Sequence, residues 1–222
     1  MIYRTPYLEA LVLAASAFPS GIVPIFLAIG RSVPSVRIEK RSLTVYCFVL
    51  AALVGLVWCI SPMVWIVRPA NWYYYVVGML CAPFCIGVEY ALMALIMKAL
   101  TGKWLSEAEV NPLWQVRIAP STVCLSVCVV ALEEVVYRQI VVSEILTLLP
   151  MRVSLAIVAQ AMMFAMNHLQ FGLIPAAVKF PSGIIYGCLY VASGRSLSIP
   201  LLAHGLHNLF LMYVSDARRR VN

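Results

Sequence analysis

The strongest constraint on this chain is a series of apolar runs, each long enough to cross a lipid bilayer as a helix. Such a helix needs about 17–25 predominantly apolar residues. Only helices and closed barrels satisfy every backbone hydrogen bond in lipid, and the runs lack the polar–apolar alternation of a barrel strand. They therefore predict seven helical spans, at residues 7–29, 43–67, 72–100, 119–149, 153–168, 173–192 and 196–214.

The composition supports a membrane protein. Hydrophobic residues make up 63% of the chain and charged residues only 11%, whereas charged residues are about 25% of an ordinary soluble domain. We expect an all-α, polytopic membrane helix bundle with about seven spans, or eight if 119–149 contains a second short helix. Residues 1–222 form a single integral membrane domain in this interpretation. A polar linker at 101–116 separates N-terminal spans (1–116) from a motif-bearing core (117–214).

The charge pattern indicates the partners. The formal net charge is +7, but the basic residues lie in short loops between apolar runs, as the positive-inside rule describes. No basic stripe is interleaved with aromatic residues, so we expect the lipid bilayer and no nucleic acid as a partner. The seven cysteines all lie inside apolar runs. We interpret them as small buried residues rather than as a disulfide frame or a metal site.

The segment ALEEVVYRQI, residues 131–140, places three charged residues inside an apolar run. Glu134 and Arg138 are four apart, so on a helix they share a face and can neutralise each other. Glu133 lies about 100° further round the helix and has no such local partner. Ionisable residues inside spans are costly and mark functional sites by default. Glu133 is therefore the first candidate for chemistry.

Two later segments contain all three histidines of the chain. In MMFAMNHLQF, residues 162–171, Phe164 and His168 are four apart. In LLAHGLHNLF, residues 201–210, His204 and Asn208 have the same spacing, and His207 could turn partly the same way. The spacing favours His204 over His207, because consecutive residues diverge by about 100° on a helix. A carboxylate, an imidazole and an imidazole–amide pair would then come together from three helices.

These segments carry a family resemblance. EEVVYR fits the pattern E-E-x-x-x-R, FAMNH fits F-x-x-x-H, and HGLHN fits H-x-x-x-N, in that order along the chain. In this combination the sequence resembles the CPBP family, which comprises CAAX prenyl endopeptidases and the bacteriocin-processing or self-immunity proteins also called Abi. The resemblance covers roughly residues 117–214, and the first 100 residues add only hydropathy to it.

The resemblance implies an intramembrane glutamic-type endopeptidase without a cofactor. Glu133 would be the general base, with His168 helping to hold a water molecule, and His204 with Asn208 would form the oxyanion hole. The substrate would be a membrane-anchored, lipidated or secreted protein or peptide, processed in a prokaryotic cell membrane that the enzyme crosses several times. The supporting residues in this assignment are Glu134, Arg138 and Phe164.

Three alternatives stay open at this point. Glu133, His168 and His204 could hold Zn²⁺ with a water molecule as the fourth ligand, although the chain has no H-E-x-x-H and Asn208 is a poor zinc ligand. A non-enzymatic membrane scaffold or immunity protein could keep the same fold. An ion-coupled transporter is disfavoured, because such folds are typically built from internal repeats and the sequence shows none.

Overall fold

A computed structural model of the protein describes residues 6–22, 35–60, 68–104, 119–148 and 152–219. Within these ranges the chain forms helices and no strands, as the sequence predicts. Two 3-10 turns, Pro19–Ile22 and Leu169–Phe171, and a π-helical segment, Val135–Val141, join or interrupt the longer helices. The α-helices are α1 (Pro6–Ala17), α2 (Ser35–Ile60), α3 (Trp72–Thr101), α4 (Pro120–Glu134), α5 (Val142–Leu148), α6 (Val153–Met166), α7 (Leu173–Ala192) and α8 (Ser198–Arg219).

Some of these helices suit a membrane by length and apolar character. In the described part of the chain there are four such stretches: Ser42–Cys59, Trp72–Thr101, Val153–Phe171 and Leu173–Ala192. The predicted number of about seven spans is not confirmed. Helix α4 has only 15 residues before the π segment interrupts it, and α8 contains His204, His207 and Asn208 among its apolar residues.

The first predicted span does not form one continuous helix. Helix α1 ends at Ala17, and the chain turns at Phe18 into the 3-10 turn that begins at Pro19. Proline disfavours the helical conformation at the residue before it, which accounts for the break. The rest of the run predicted at 7–29, from residue 23 onward, lies outside the described residues, as does most of the linker predicted at 101–116.

The unit formed by α4, the π segment and α5 runs through the centre of the bundle. All residues from Val136 to Val142 are buried. The unit packs against α1, α2 and α6, and α4 also packs against α8. Because α2 contacts α4, the two parts that the sequence separates near residue 116 form one packed body at this point. A π-helical turn inside an α-helix is rare and frequently occurs at a functional site.

Helices α6 and α7 approach each other closely through glycine. A Cβ atom added at Gly183 would lie 3.1 Å from the Cα atom of Ala161, closer than most such contacts, so a larger residue would push the two helices slightly apart. The Gln160 side-chain amide donates to the Gly183 carbonyl at 2.8 Å. This contact fixes the face of α6 that carries Phe164, which leads directly to the polar cluster described next.

Candidate active site

A cavity of about 70 Å³ lies between α2, α4, α7, α8 and the turn that follows α6. One water molecule needs roughly 10–15 Å³ of such space, so the cavity has room for several. The predicted catalytic residues Glu133, His168, His204 and Asn208 all line it, and their predicted convergence is therefore confirmed. Their catalytic roles stay predictions. The other lining residues are Ser42, Leu43, Tyr46, Ser126, Val129, Asn167, Gln170, Phe171 and Lys179.

Glu133 lies near the end of α4, two residues before the π segment begins, and is 5% exposed. Within the described part of the chain it has no hydrogen-bond or ion-pair partner on its own helix, but it is not isolated. The Tyr46 hydroxyl donates to its Oε1 atom at 2.7 Å, and the Asn167 side-chain amide donates to the same atom at 3.4 Å. Its Oε2 atom lies 3.9 Å from His204 Nε2. One oxygen is thus held by donors from other helices, and the other faces His204.

Glu134 and Arg138 form the predicted pair. Arg138 Nε lies 3.1 Å from Glu134 Oε2, and both side chains are completely buried. The guanidinium also lies over aromatic rings, 4.7 Å from the centre of Phe164 and 5.4 Å from that of Tyr186. Such cation–π contacts are stabilising away from water. Phe164 therefore packs against the buried cation, and its supporting role in the site stays a prediction.

Glu134 has a second partner that the sequence did not predict. Its Oε1 atom lies 2.7 Å from His204 Nδ1. An ionised carboxylate only accepts hydrogen bonds, so Nδ1 carries a proton and the ring is turned with Nε2 toward Glu133. The Tyr186 ring stacks on the His204 ring with a centroid distance of 5.0 Å. These two contacts fix the orientation of the imidazole.

His168 lies on the turn that follows α6. Its Nδ1 atom is 2.9 Å from the Phe164 carbonyl oxygen, which can only accept, so the proton of the neutral ring is on Nδ1 and Nε2 is an acceptor. The turn ends at Gly172, whose φ of 109° is in the region that side chains disfavour. This glycine lets the chain reverse from the His168 turn into α7.

His207 belongs to a different cluster. Its Nδ1 atom is 2.6 Å from the Tyr186 hydroxyl, and its Nε2 atom is 3.4 Å from Glu89 Oε2. Glu89 also forms an ion pair with Lys179 at 2.7 Å. His207 is not one of the described residues that line the cavity. This agrees with the helical spacing, which favours His204 over His207.

The chain was compared with known proteins and families. Residues 115–210 match the model of the family described as type II CAAX prenyl endopeptidase Rce1-like. Over these 96 of its 222 residues the chain is similar to the CAAX prenyl endopeptidases. No curated protein and no solved structure matches the chain. The matched residues include all three sequence motifs and every helix from α4 to most of α8. Ten of the thirteen residues that line the cavity lie within the match, and the other three come from α2.

Two further residues of the candidate site were not assigned a role from the sequence. Asn167 immediately precedes His168, and as an amide inside an apolar run it gave a usable signal. Tyr46 lies in α2, far from the motifs, and nothing in its sequence surroundings marks it. Lys179 also lines the cavity, and its position there depends on how α7 packs. Within the described residues, no group of three His, Cys, Asp or Glu side chains is arranged to hold a metal ion.

Replacing Glu134 by alanine is expected to lower both the stability and the activity of the protein. The change leaves Arg138 buried without its carboxylate, which typically costs about 3–5 kcal/mol, and removes the partner of His204 Nδ1. We expect a lower yield, a lower Tm in detergent and loss of cleavage.

The double variant Glu134→Ala/Arg138→Met is the matched control. It removes both charges of the pair, so its Tm should recover a large part of the loss while cleavage stays absent. A single variant Glu134→Ala as stable as the parent would show that the pair with Arg138 does not stabilise the fold.

Proposed function

We propose that the protein is an intramembrane endopeptidase in which Glu133 activates a water molecule for attack on a peptide bond. The observation that carries the proposal is that Glu133, His168, His204 and Asn208 line one cavity within the apolar bundle. Placing a carboxylate, two imidazoles and an amide together inside an apolar helix bundle is costly. Packing alone does not require such a group of side chains, whereas hydrolysis does.

In the proposed reaction, Glu133 accepts a proton from the water molecule while the water oxygen bonds to the carbonyl carbon. The electrons of the C=O double bond move onto the carbonyl oxygen, which becomes an oxyanion. When the double bond forms again, the C–N bond breaks and the nitrogen takes the proton from Glu133. The products are a carboxyl group and an amine, and no serine or cysteine nucleophile is needed.

His204 and Asn208 are placed to stabilise the oxyanion. Because Nδ1 of His204 already donates to Glu134, Nε2 can donate only if the imidazole carries both protons. The charges of Glu133, Glu134 and Arg138 add to −1, and a second proton on His204 brings the group to zero. An interior of low dielectric constant favours such balance. During attack the negative charge moves from Glu133 to the oxyanion, and the total stays the same.

His168 has a complementary role. Its Nε2 atom is an acceptor, because the proton of the neutral ring is on Nδ1 and is donated to the Phe164 carbonyl. It can therefore accept a hydrogen bond from the attacking water and orient it, while Glu133 removes the other proton. The two imidazoles thus have opposite tasks, which their different partners support: a carbonyl for His168 and a carboxylate for His204.

The substrate class that we propose is a membrane-anchored or lipidated protein or peptide. The family description names CAAX prenyl endopeptidases, and the cavity lies within a helix bundle that contains four helices suited to a membrane. A sorting tail or a bacteriocin precursor would present the same chemistry, a peptide bond next to a membrane anchor or an apolar segment. The proposed location is a prokaryotic cell membrane.

The decisive experiment is a cleavage assay with purified full-length protein in liposomes. A prenylated peptide that ends in a CAAX sequence is the first probe, and a peptide with an apolar membrane anchor is the second. We expect mass spectrometry to show one internal cut that persists after treatment with 1,10-phenanthroline. Loss of cleavage that zinc restores would support the zinc protease instead. Failure to cut either probe, with the protein folded, would favour the non-enzymatic scaffold.

A further inference from the structure

Two hydrogen-bond donors that the three motif patterns do not specify hold one oxygen of Glu133. The Tyr46 hydroxyl donates to Oε1 at 2.7 Å, and the Asn167 amide donates to Oε1 at 3.4 Å and also to the Tyr46 oxygen. Tyr46 is 6% exposed and Asn167 2%. Tyr46 comes from α2, which precedes the residues that match the family model. The N-terminal part of the chain therefore contributes directly to the candidate site.

The orientation of the Asn167 amide is fixed by a second set of contacts. The Ser20 backbone N–H donates to Asn167 Oδ1 at 2.9 Å, and the Ser20 hydroxyl donates to the Asn167 carbonyl oxygen at 2.6 Å. With Oδ1 engaged as an acceptor, the NH₂ group must point toward Tyr46 and Glu133. The 3-10 turn after α1 thus anchors the residue that directly precedes His168.

This arrangement gives the two oxygens of Glu133 different surroundings. Oε1 accepts from two neutral donors, and these favour the ionised carboxylate that a general base must have. Oε2 lies 3.9 Å from His204 Nε2, too far for a direct hydrogen bond. One oxygen atom from a water molecule or a substrate could contact both groups across that separation.

We propose that Tyr46 is a positioning residue that holds Glu133 Oε1, so that Oε2 is the atom that takes the proton from the attacking water. The inference rests on the proposed role of Glu133 as the base. It also means that the N-terminal helices complete the active site, in addition to any part they have in anchoring the chain to the membrane. The family-matched residues alone lack this donor.

The variant Tyr46→Phe tests the inference in the full chain, with the prenylated CAAX peptide as the probe. It removes the hydroxyl and keeps the ring. We expect kcat to fall roughly 10–100-fold, as for the loss of one hydrogen bond to a charged group, with KM within about twofold of the parent. If Tyr46 only packed against its neighbours, the substitution would lower the Tm, and kcat would not fall selectively while KM stayed unchanged.

Tyr137→Phe is the matched control. Tyr137 is also completely buried, lies in the π segment next to the site, and its hydroxyl has no hydrogen-bond partner among the described residues. Its rates, normalised to folded protein, should match those of the parent.

The possible results separate this inference from the proposed function. If kcat of Tyr46→Phe equals that of Tyr137→Phe while Glu133→Gln is inactive, the positioning role is wrong and the proposed function stands. If KM rises and kcat is kept, Tyr46 acts in binding and the inference is overturned. If Glu133→Gln cleaves at a near-parental rate, the proposed function itself fails.

Discussion

Glu133→Gln is expected to lower the cleavage rate by roughly 10²–10⁴-fold, the usual contribution of general acid–base catalysis. Glutamine has the shape of glutamate, and its carbonyl oxygen can still accept from the Tyr46 hydroxyl that now binds Oε1. It cannot take a proton from water. The fold should therefore persist while the chemistry stops. Cleavage of the prenylated peptide and the Tm in detergent, measured on the same preparation, check both halves of the expectation.

A second buried glutamate serves as the control. Glu144 lies in α5, on the same central unit as Glu133, and is 2% exposed, but it is not among the residues that line the cavity. Glu144→Gln makes the same chemical change outside the cavity lining. Its cleavage rate per folded molecule should stay close to that of the parent. Near-parental turnover in Glu133→Gln would contradict the proposed mechanism, whatever Glu144→Gln shows.

The sequence was sufficient to predict the helices that have no interruption. The runs at 72–100 and 173–192 correspond to Trp72–Thr101 and Leu173–Ala192, because each ends in polar or turn-forming residues. The convergence of the motif residues could also be predicted from the sequence. A carboxylate, imidazoles and an amide are each costly when buried alone in apolar spans, so these side chains are expected to lie together. The residues that line the cavity agree with this expectation.

The contacts between helices could not be predicted in the same way. In a membrane protein the lipid-facing side of a helix is as apolar as its packed side, so hydropathy does not reveal which side chain faces the site. Tyr46 is one of eleven tyrosines, and only the packing of α2 on α4 brings it to Glu133. The contact of Glu134 with His204 joins residues 70 positions apart. It depends on how α8 is rotated against α4.

Local irregularities were missed for a related reason. The helical spacing of Glu134 and Arg138 assumes a regular helix, yet a π-helical segment begins at Val135. The pair still forms at 3.1 Å, because residues four apart remain close in the wider turn. At the N-terminus, hydropathy alone extended the first span past Pro19, where the structure breaks the helix. Proline is a backbone signal that a hydropathy run does not include.

His204 and His207 provide a comparison within one helix. His204 lines the cavity, with Nδ1 held by Glu134 and Nε2 toward Glu133. His207, three residues later, is held between the Tyr186 hydroxyl and Glu89. Both imidazoles are buried, at 4% and 1% exposure, so their replacement by alanine removes similar packing. The two variants therefore differ mainly in what each ring contacts.

His204→Ala is expected to lose about 10²–10³ in kcat, the usual loss for one oxyanion-hole donor. His207→Ala should lose far less in rate and more in Tm, because it deprives the buried Tyr186 hydroxyl of its partner. Rates are compared at equal concentrations of folded protein, so that instability is not counted as lost catalysis. A larger rate loss in His207→Ala would place the oxyanion donor on the Glu89 side of α8, and the assignment of His204 with Asn208 would then be wrong.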